Sequence, residues 1–271
     1  MTYSIRNHFA FVGNTQVPYF ESQHKGRAIT PRYLVIHFTA GSGDEVNTAR
    51  WFQNPQARAS AHINVGVDGK LSQSVPLNVA AWHAGQSFWK GVNGLNNHSI
   101  GIEVVNPGPL TKLANGRYQA WFGRQYTVND GVFEARHPNG GPVQGWIPFT
   151  QAQIDVLLEL GGLLMREYNL LEAVGHDMIS PGRKVDPGPA MDVRVYNRLN
   201  GDLQDEGGAR IFEVTSRALN FRGGPGTGHP VIGILYAGEQ LTLISSTGGW
   251  LYVQSGNGLV GYVSANFVRE L

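Results

Sequence analysis

Residues 175–188 read Gly-His-Asp-Met-Ile-Ser-Pro-Gly-Arg-Lys-Val-Asp-Pro-Gly, and no other stretch restricts the architecture of the chain so tightly. Its prolines and glycines are poor material for a helix. His176, Lys184 and Asp186 put an imidazole, an ammonium and a carboxylate on this one segment. Imidazole nitrogen and carboxylate oxygen are donors that zinc accepts, and ten positions of irregular backbone are enough to fold both onto one ion. An open zinc site usually takes three protein ligands, so a third must come from elsewhere, beside a place for a substrate carbonyl.

The chain can build a core around such a site. It has 271 residues, of which 41% are hydrophobic, enough for one large domain or two modest ones. A charged fraction of 15% and a net charge of +1 argue against disorder and against a nucleic-acid partner. With no cysteine there is no disulfide framework, and any metal must use histidine and carboxylate. No stretch approaches the length of a membrane span, and the polar N-terminal residues lack the apolar core of a signal peptide. Action outside a cell is therefore expected to depend on some other means of release or delivery from the cytoplasm.

Residues 33–39, Tyr-Leu-Val-Ile-His-Phe-Thr, predict a strand buried on both faces, with His37 near its C-terminal end, where ligands of open α/β sheets collect. A lone strand histidine is more often a core residue bonded to backbone. Asp44 is a candidate N-cap for a helix over 45–53. Residues 62–67 alternate, with Ile63, Val65 and Val67 opposite His62 and Asn64, and Asp68-Gly69 turns the chain into 70–75. His62 is expected to pack or to support the site without ligating. Trp82-His83-Ala84-Gly85 puts an aromatic and an imidazole beside a glycine that permits close approach. Residues 99–106 predict another buried strand, in which Glu103 stands opposite Ile100, Ile102 and Val104. A carboxylate there needs a partner, because burial disfavours its charged form.

Residues 107–148 break the pattern with glycines, prolines and aromatics. A hairpin joining 124–128 to 132–136 through Asn129-Asp130-Gly131 is expected to form a flap beside the site, with Trp121 or Trp146 facing substrate. Thr150 and Gln153 predict a capping box ahead of a core helix carrying Ile154, Leu157, Leu158, Gly161, Leu164, Met165 and Tyr168 on one face. Residues 173–175 then read as a short extended segment leading to His176.

Taken together, the strand ending in His37, Ser60-Ala61-His62, Trp82-His83-Ala84-Gly85, Ser99-Ile100-Gly101-Ile102-Glu103, and Gly175-His176 through Asp186-Pro187-Gly188 resemble the type 2 N-acetylmuramoyl-L-alanine amidases. That family shares its fold with phage lysozyme-type amidases and animal peptidoglycan-recognition proteins, and the resemblance covers roughly residues 32–199. It implies an α/β fold, a mixed central sheet flanked by helices. It also implies one zinc ion on His37, His176 and Asp186, Glu103 as the acid/base carboxylate and Lys184 as the oxyanion partner. Trp82, His83, Asn64, Arg183 and Trp121 are expected to contact the substrate, peptidoglycan or its muropeptides. The bond implied joins N-acetylmuramic acid to L-alanine, as in a phage lysin or another wall hydrolase. The alternative is a non-catalytic peptidoglycan receptor on the same fold, which would ordinarily have lost a ligand or the base. Some members carry a catalytic tyrosine where this chain has Ala61, so Glu103 carries more of the proton transfer here.

Residues 200–210 are polar and glycine-rich, and a linker is expected over 201–210 between a catalytic domain (1–200) and a small β-barrel (211–271). Five short strands are predicted near 219–222, 231–235, 240–244, 250–254 and 259–263. Ala218 to Pro225, Gly249-Trp250-Leu251-Tyr252-Val253 and Gly261-Tyr262-Val263 resemble bacterial SH3-like domains, which implies a module tethering a monomeric enzyme to the wall.

Overall fold

The computed structural model describes residues 2–201, 210–256 and 258–271. At its centre is a five-stranded sheet in the order Glu172–Gly175, Tyr33–Phe38, Ser99–Val104, Ile63–Val65, Leu71–Gln73. The first four strands run parallel and the last turns back antiparallel. Gly69 makes that turn with φ of 79°, a conformation costly for any residue with a Cβ.

Period-two alternation sorts the two faces of this sheet. Leu34, Ile36, Ile63, Val65, Ile100, Ile102 and Val104 enter the main core against Leu157, Leu160 and Leu164. Tyr33 and Val35 face the other way, into a smaller cluster with Ala84, Leu95, Val174 and Ile179. At the carboxyl ends that second face turns polar. The register pairs His37 with Glu103 and Ile36 with Gly175, so His176, one residue on, arrives level with His37. Two imidazoles and a carboxylate are thereby set in a row by backbone pairing.

The helix Glu45–Gln53 starts where its cap predicts, with the Asp44 carboxylate accepting the Asn47 N–H at 2.6 Å. Thr150 and Gln153 form the expected reciprocal box, and the core helix continues through a π turn at Leu157–Gly161 to Glu167. Two expectations need correction. His176 is not on irregular backbone but begins a short helix, His176–Ile179, and only the residues beyond it loop back. The hairpin expected in 124–136 does not form. Thr127 and Asp130 cap a 3-10 turn at Val128–Asp130, so the flanking strands part. Gln125–Tyr126 pairs with Tyr118–Gln119, and Phe133–Arg136 with Val143–Trp146. Trp146, expected near substrate, is fully buried, its indole N–H donating to the Ala135 carbonyl at 3.2 Å.

The C-terminal strands form a seven-stranded sheet that includes two unpredicted members, Ile211–Val214 and Val268–Glu270. Residues 202–209, which hold most of the expected linker, lie outside the described residues. The barrel packs on the catalytic part. Ile244, Tyr252 and Val260 share one core with Met191, Val193 and Tyr196, and Asn197 Nδ2 donates to the Leu243 carbonyl. A gap of only about 20 Å³ remains there, lined by Asp177, Tyr196 and Tyr252 among others. Ile244→Ala should therefore cost about 2–5 kcal/mol, the usual penalty for truncating a buried aliphatic side chain. Calorimetry is expected to show barrel and catalytic part melting together at a lower temperature in this variant, whereas an unchanged catalytic transition would show the two to be independent.

Candidate metal centre and cleft

His37 Nδ1, His176 Nδ1 and Asp186 Oδ2 converge below the carboxyl ends of the strands. The two nitrogens are 2.9 Å apart, and they lie 2.9 and 2.8 Å from the carboxylate oxygen. All three residues are buried and could hold one metal ion.

The proton positions follow from their outer partners. Ser99 spends its hydroxyl hydrogen on the Leu95 carbonyl at 2.6 Å, so its oxygen accepts from His83 Nε2 at 3.2 Å. His83 Nδ1 is then a lone pair, and His37 Nε2 donates to it at 2.9 Å. Burial drives His37 down to about 4 and His83 well below 6.5, so both rings are neutral at neutral pH. On the other side, His176 Nε2 donates to the Ala84 carbonyl at 3.1 Å. Arg183 Nη2 lies farther off, at 3.3 Å, and its two hydrogens have closer acceptors in Ala84 O, Gln86 O and Ser180 Oγ. Both Nδ1 atoms are therefore bare lone pairs aimed at each other and at a carboxylate. A metal ion fits between these atoms, and two imidazoles with one carboxylate are an open-site donor set for zinc.

Ser99 and His83 thus fix the tautomer of His37, a role that reading the sequence missed. The available signal was parity: Ser99 shares its strand face with Glu103. Ser99→Ala removes the hydroxyl that accepts from His83 Nε2 and should weaken metal affinity about 10-fold, the lower end of the usual effect of losing an outer partner. Competition with a chromophoric chelator measures this directly.

Glu103 lies beside the cluster, and its Oε2 is buried without a hydrogen-bond partner among the described residues. Burial, reinforced by the negative charge of Asp186, pushes its carboxyl well above 4.5, while Lys184 pulls the other way. Both Glu103 and Lys184 open onto a cleft of about 640 Å³ that also exposes the three donor residues.

Of the residues expected to touch substrate, Trp82 and Trp121 do line this cleft. Three others are differently employed. Asn64 is fully buried and donates to Ser72 Oγ and Ser74 Oγ at 3.0 and 2.9 Å, tying the antiparallel edge strand to the sheet. His83 lines the cleft as well, but both its ring nitrogens are occupied, as above. Arg183 reaches the cleft wall, but its guanidinium is spent on the carbonyls of Ala84 and Gln86, clamping residues 84–86 over His176. His62 plays the supporting part expected of it, donating Nε2–H to the Val79 carbonyl and accepting the Gly101 N–H. Trp51, on the helix Glu45–Gln53, lines the cleft unforeseen.

An α/β sheet carrying a His-His-Asp donor set and a neighbouring carboxyl at its carboxyl edge offers a site that could hold one metal ion. Comparison with known sequences specifies the family: residues 26–189 match the N-acetylmuramoyl-L-alanine amidases, and the chain belongs to that family. Residues 217–269 match the bacterial SH3 domain. Over 179 residues the chain is 31% identical to N-acetylmuramoyl-L-alanine amidase AmiD of Escherichia coli, covering 62% of this chain and 54% of AmiD. Over 144 residues it is 32% identical to 1,6-anhydro-N-acetylmuramyl-L-alanine amidase AmpD of Haemophilus influenzae, covering 52% and 58% respectively. The chain thus spans about half the length of these curated relatives. The E. coli AmiD structure, solved with anhydro-N-acetylmuramic acid-L-Ala-D-gamma-Glu-L-Lys, aligns with TM-score 0.47 and 26% identity, over 73% of this chain and 65% of that one. No described helix is long and apolar enough to cross a membrane.

Proposed function

We propose that this chain is a zinc-dependent hydrolase of the amide between N-acetylmuramic acid and the L-alanine of peptidoglycan stems. The observation that carries the reading is the convergence of His37 Nδ1, His176 Nδ1 and Asp186 Oδ2 beside Glu103, whose buried Oε2 has no hydrogen-bond partner among the described residues, on an open cleft. AmiD and AmpD, by their names, act on this bond, and AmiD holds such a muropeptide.

His37, His176 and Asp186 would hold the zinc, which supplies a Lewis acid for the scissile carbonyl and acidifies a water to a pKa of about 7. Glu103 takes the proton of the attacking water on its carboxylate and returns it to the departing alanine nitrogen. Its buried position suits the shuttle, because a carboxyl without competing hydrogen bonds readily holds the proton between the two transfers. Lys184 presents an ammonium to the same cleft and offsets the negative charge that builds on the carbonyl oxygen. His83 and Ser99 hold the His37 ring still.

The barrel is proposed to bind wall polymer through the surface left outside the packed interface, where Val231, Ile234 and Tyr236 are exposed. Mass spectrometry of purified muropeptides after incubation with the protein tests the central reading. Release of free stem peptides with an intact lactyl-bearing sugar is expected; products cut elsewhere, or none, would remove it.

A further inference from the structure

The chain has six tryptophans, and three of them, Trp51, Trp82 and Trp121, line the cleft while remaining 53%, 43% and 79% exposed. Trp146, by contrast, is wholly buried. Three exposed indoles around one opening form the kind of apolar patch that marks a binding site.

Trp121 is not loosely displayed. Its N–H donates to the Ala40 carbonyl at 2.6 Å, and its ring meets Phe122 edge-on at 5.7 Å. The first contact fastens residues 107–148 to the turn that follows the His37 strand. It also consumes the only polar atom of the indole, leaving an apolar ring with nothing to offer a hydrogen-bonding ligand. Trp51 stands on the helix whose inward positions are Glu45, Ala49 and Phe52. It lies off that buried face, and the Asp44 cap fixes the start of the helix that carries it. Two rigid aromatic surfaces therefore border the opening, one on the helix and one on the inserted segment. The Trp121 face, its one donor already spent on Ala40, and the exposed Trp51 face suit the C–H face of a pyranose ring.

We infer that Trp51 and Trp121 form a carbohydrate subsite that grips sugar rings of the glycan strand next to the muramyl residue being cut. The protein therefore prefers stems still attached to an extended glycan over those on a single sugar. This rests on the amidase reading and adds the form of substrate to it.

The test uses the full-length zinc-loaded protein. Its first arm needs no catalysis: titration with the N-acetylglucosamine tetramer, followed by tryptophan fluorescence and calorimetry. Wild type should bind, Trp51→Ala and Trp121→Ala should each weaken binding about tenfold, and Trp51→Phe should restore most of the affinity, since phenylalanine keeps a flat apolar face. The second arm compares kcat/KM on solubilised glycan strands bearing stems with kcat/KM on a one-sugar muropeptide. The ratio should fall about tenfold in either alanine variant. Failure of wild type to bind the tetramer, or alanine variants that bind it equally well, would overturn the subsite. So would an unchanged ratio, or equal losses on both substrates, which would place the stem peptide against the indoles. Tetramer binding without cleavage of either substrate would instead defeat the amidase reading and leave the subsite standing.

Discussion

Glu103→Gln is expected to lower turnover by about two to four orders of magnitude, the range assigned to a positioned general acid or base, while leaving zinc bound. The same substitution should stabilise the metal-free protein. The Glu103 carboxyl is held well above 4.5 by burial and by Asp186, so between 4.5 and its folded value the native state binds a proton that the unfolded chain releases. In that window the unfolded state carries fewer protons, and stability falls as pH rises. Glutamine has the shape of the protonated carboxyl and does not ionise, so it escapes this penalty. The melting temperature of the metal-free variant should exceed that of metal-free wild type, by a margin that widens as pH climbs from 4.5 to the raised folded value of the carboxyl. Wild-type turnover in the variant would reassign the proton shuttle. A pH-independent margin would show that the carboxyl does not feel its burial.

Loss of a donor should be equally severe. Asp186→Ala removes the anionic corner of the cluster and leaves His37 Nδ1 and His176 Nδ1, 2.9 Å apart, as two bare lone pairs. Zinc content measured by elemental analysis should drop to background and amide hydrolysis with it. Chelation of the wild type should reproduce the loss and lower its melting temperature, because a ligand present at 100 times its Kd contributes about 2.7 kcal/mol to folding. Lys184→Ala differs in an informative way: it should keep its metal and its melting temperature yet lose about two orders of magnitude in turnover. A variant that lost zinc instead would place Lys184 in the support of the cluster.

Much of this was legible in the residue order because the sheet is regular. Alternation separated Ile100, Ile102 and Val104 from Glu103, and parallel register then aligned that carboxyl with His37 without any further information. Asp44 and Thr150 announced their helices because capping is a local bond, complete within three residues. The donor set was named through a family pattern, which says that residues meet without saying how. What stayed hidden depends on contacts between distant segments. Nothing in the sequence around Ser99 shows that its hydroxyl settles a proton on a histidine ring 62 positions earlier, by way of His83. Asn64 looked available because it alternates with core valines and isoleucines, yet the return strand brings Ser72 and Ser74 to cover it. In residues 107–148 the turn at Asn129 was visible, but strand partners there are chosen by a satellite core of Leu110, Tyr118, Ala120, Tyr126 and Val132 that no periodicity reveals.

The shared core of Ile244, Tyr252 and Val260 with Met191, Val193 and Tyr196 bears on how the proposed wall substrate would be met. A module on a slack tether lets its enzyme sweep a volume and cut whatever falls within reach, and the gain depends on the length and stiffness of the tether. A module fused through packed side chains has no such sweep. A polymer gripped by this barrel would be offered to the cleft at one distance and one bearing, so each anchoring event addresses a single stem, and stems facing other directions along the same strand pass uncut. The packing thus turns attachment from a matter of local abundance into one of aim.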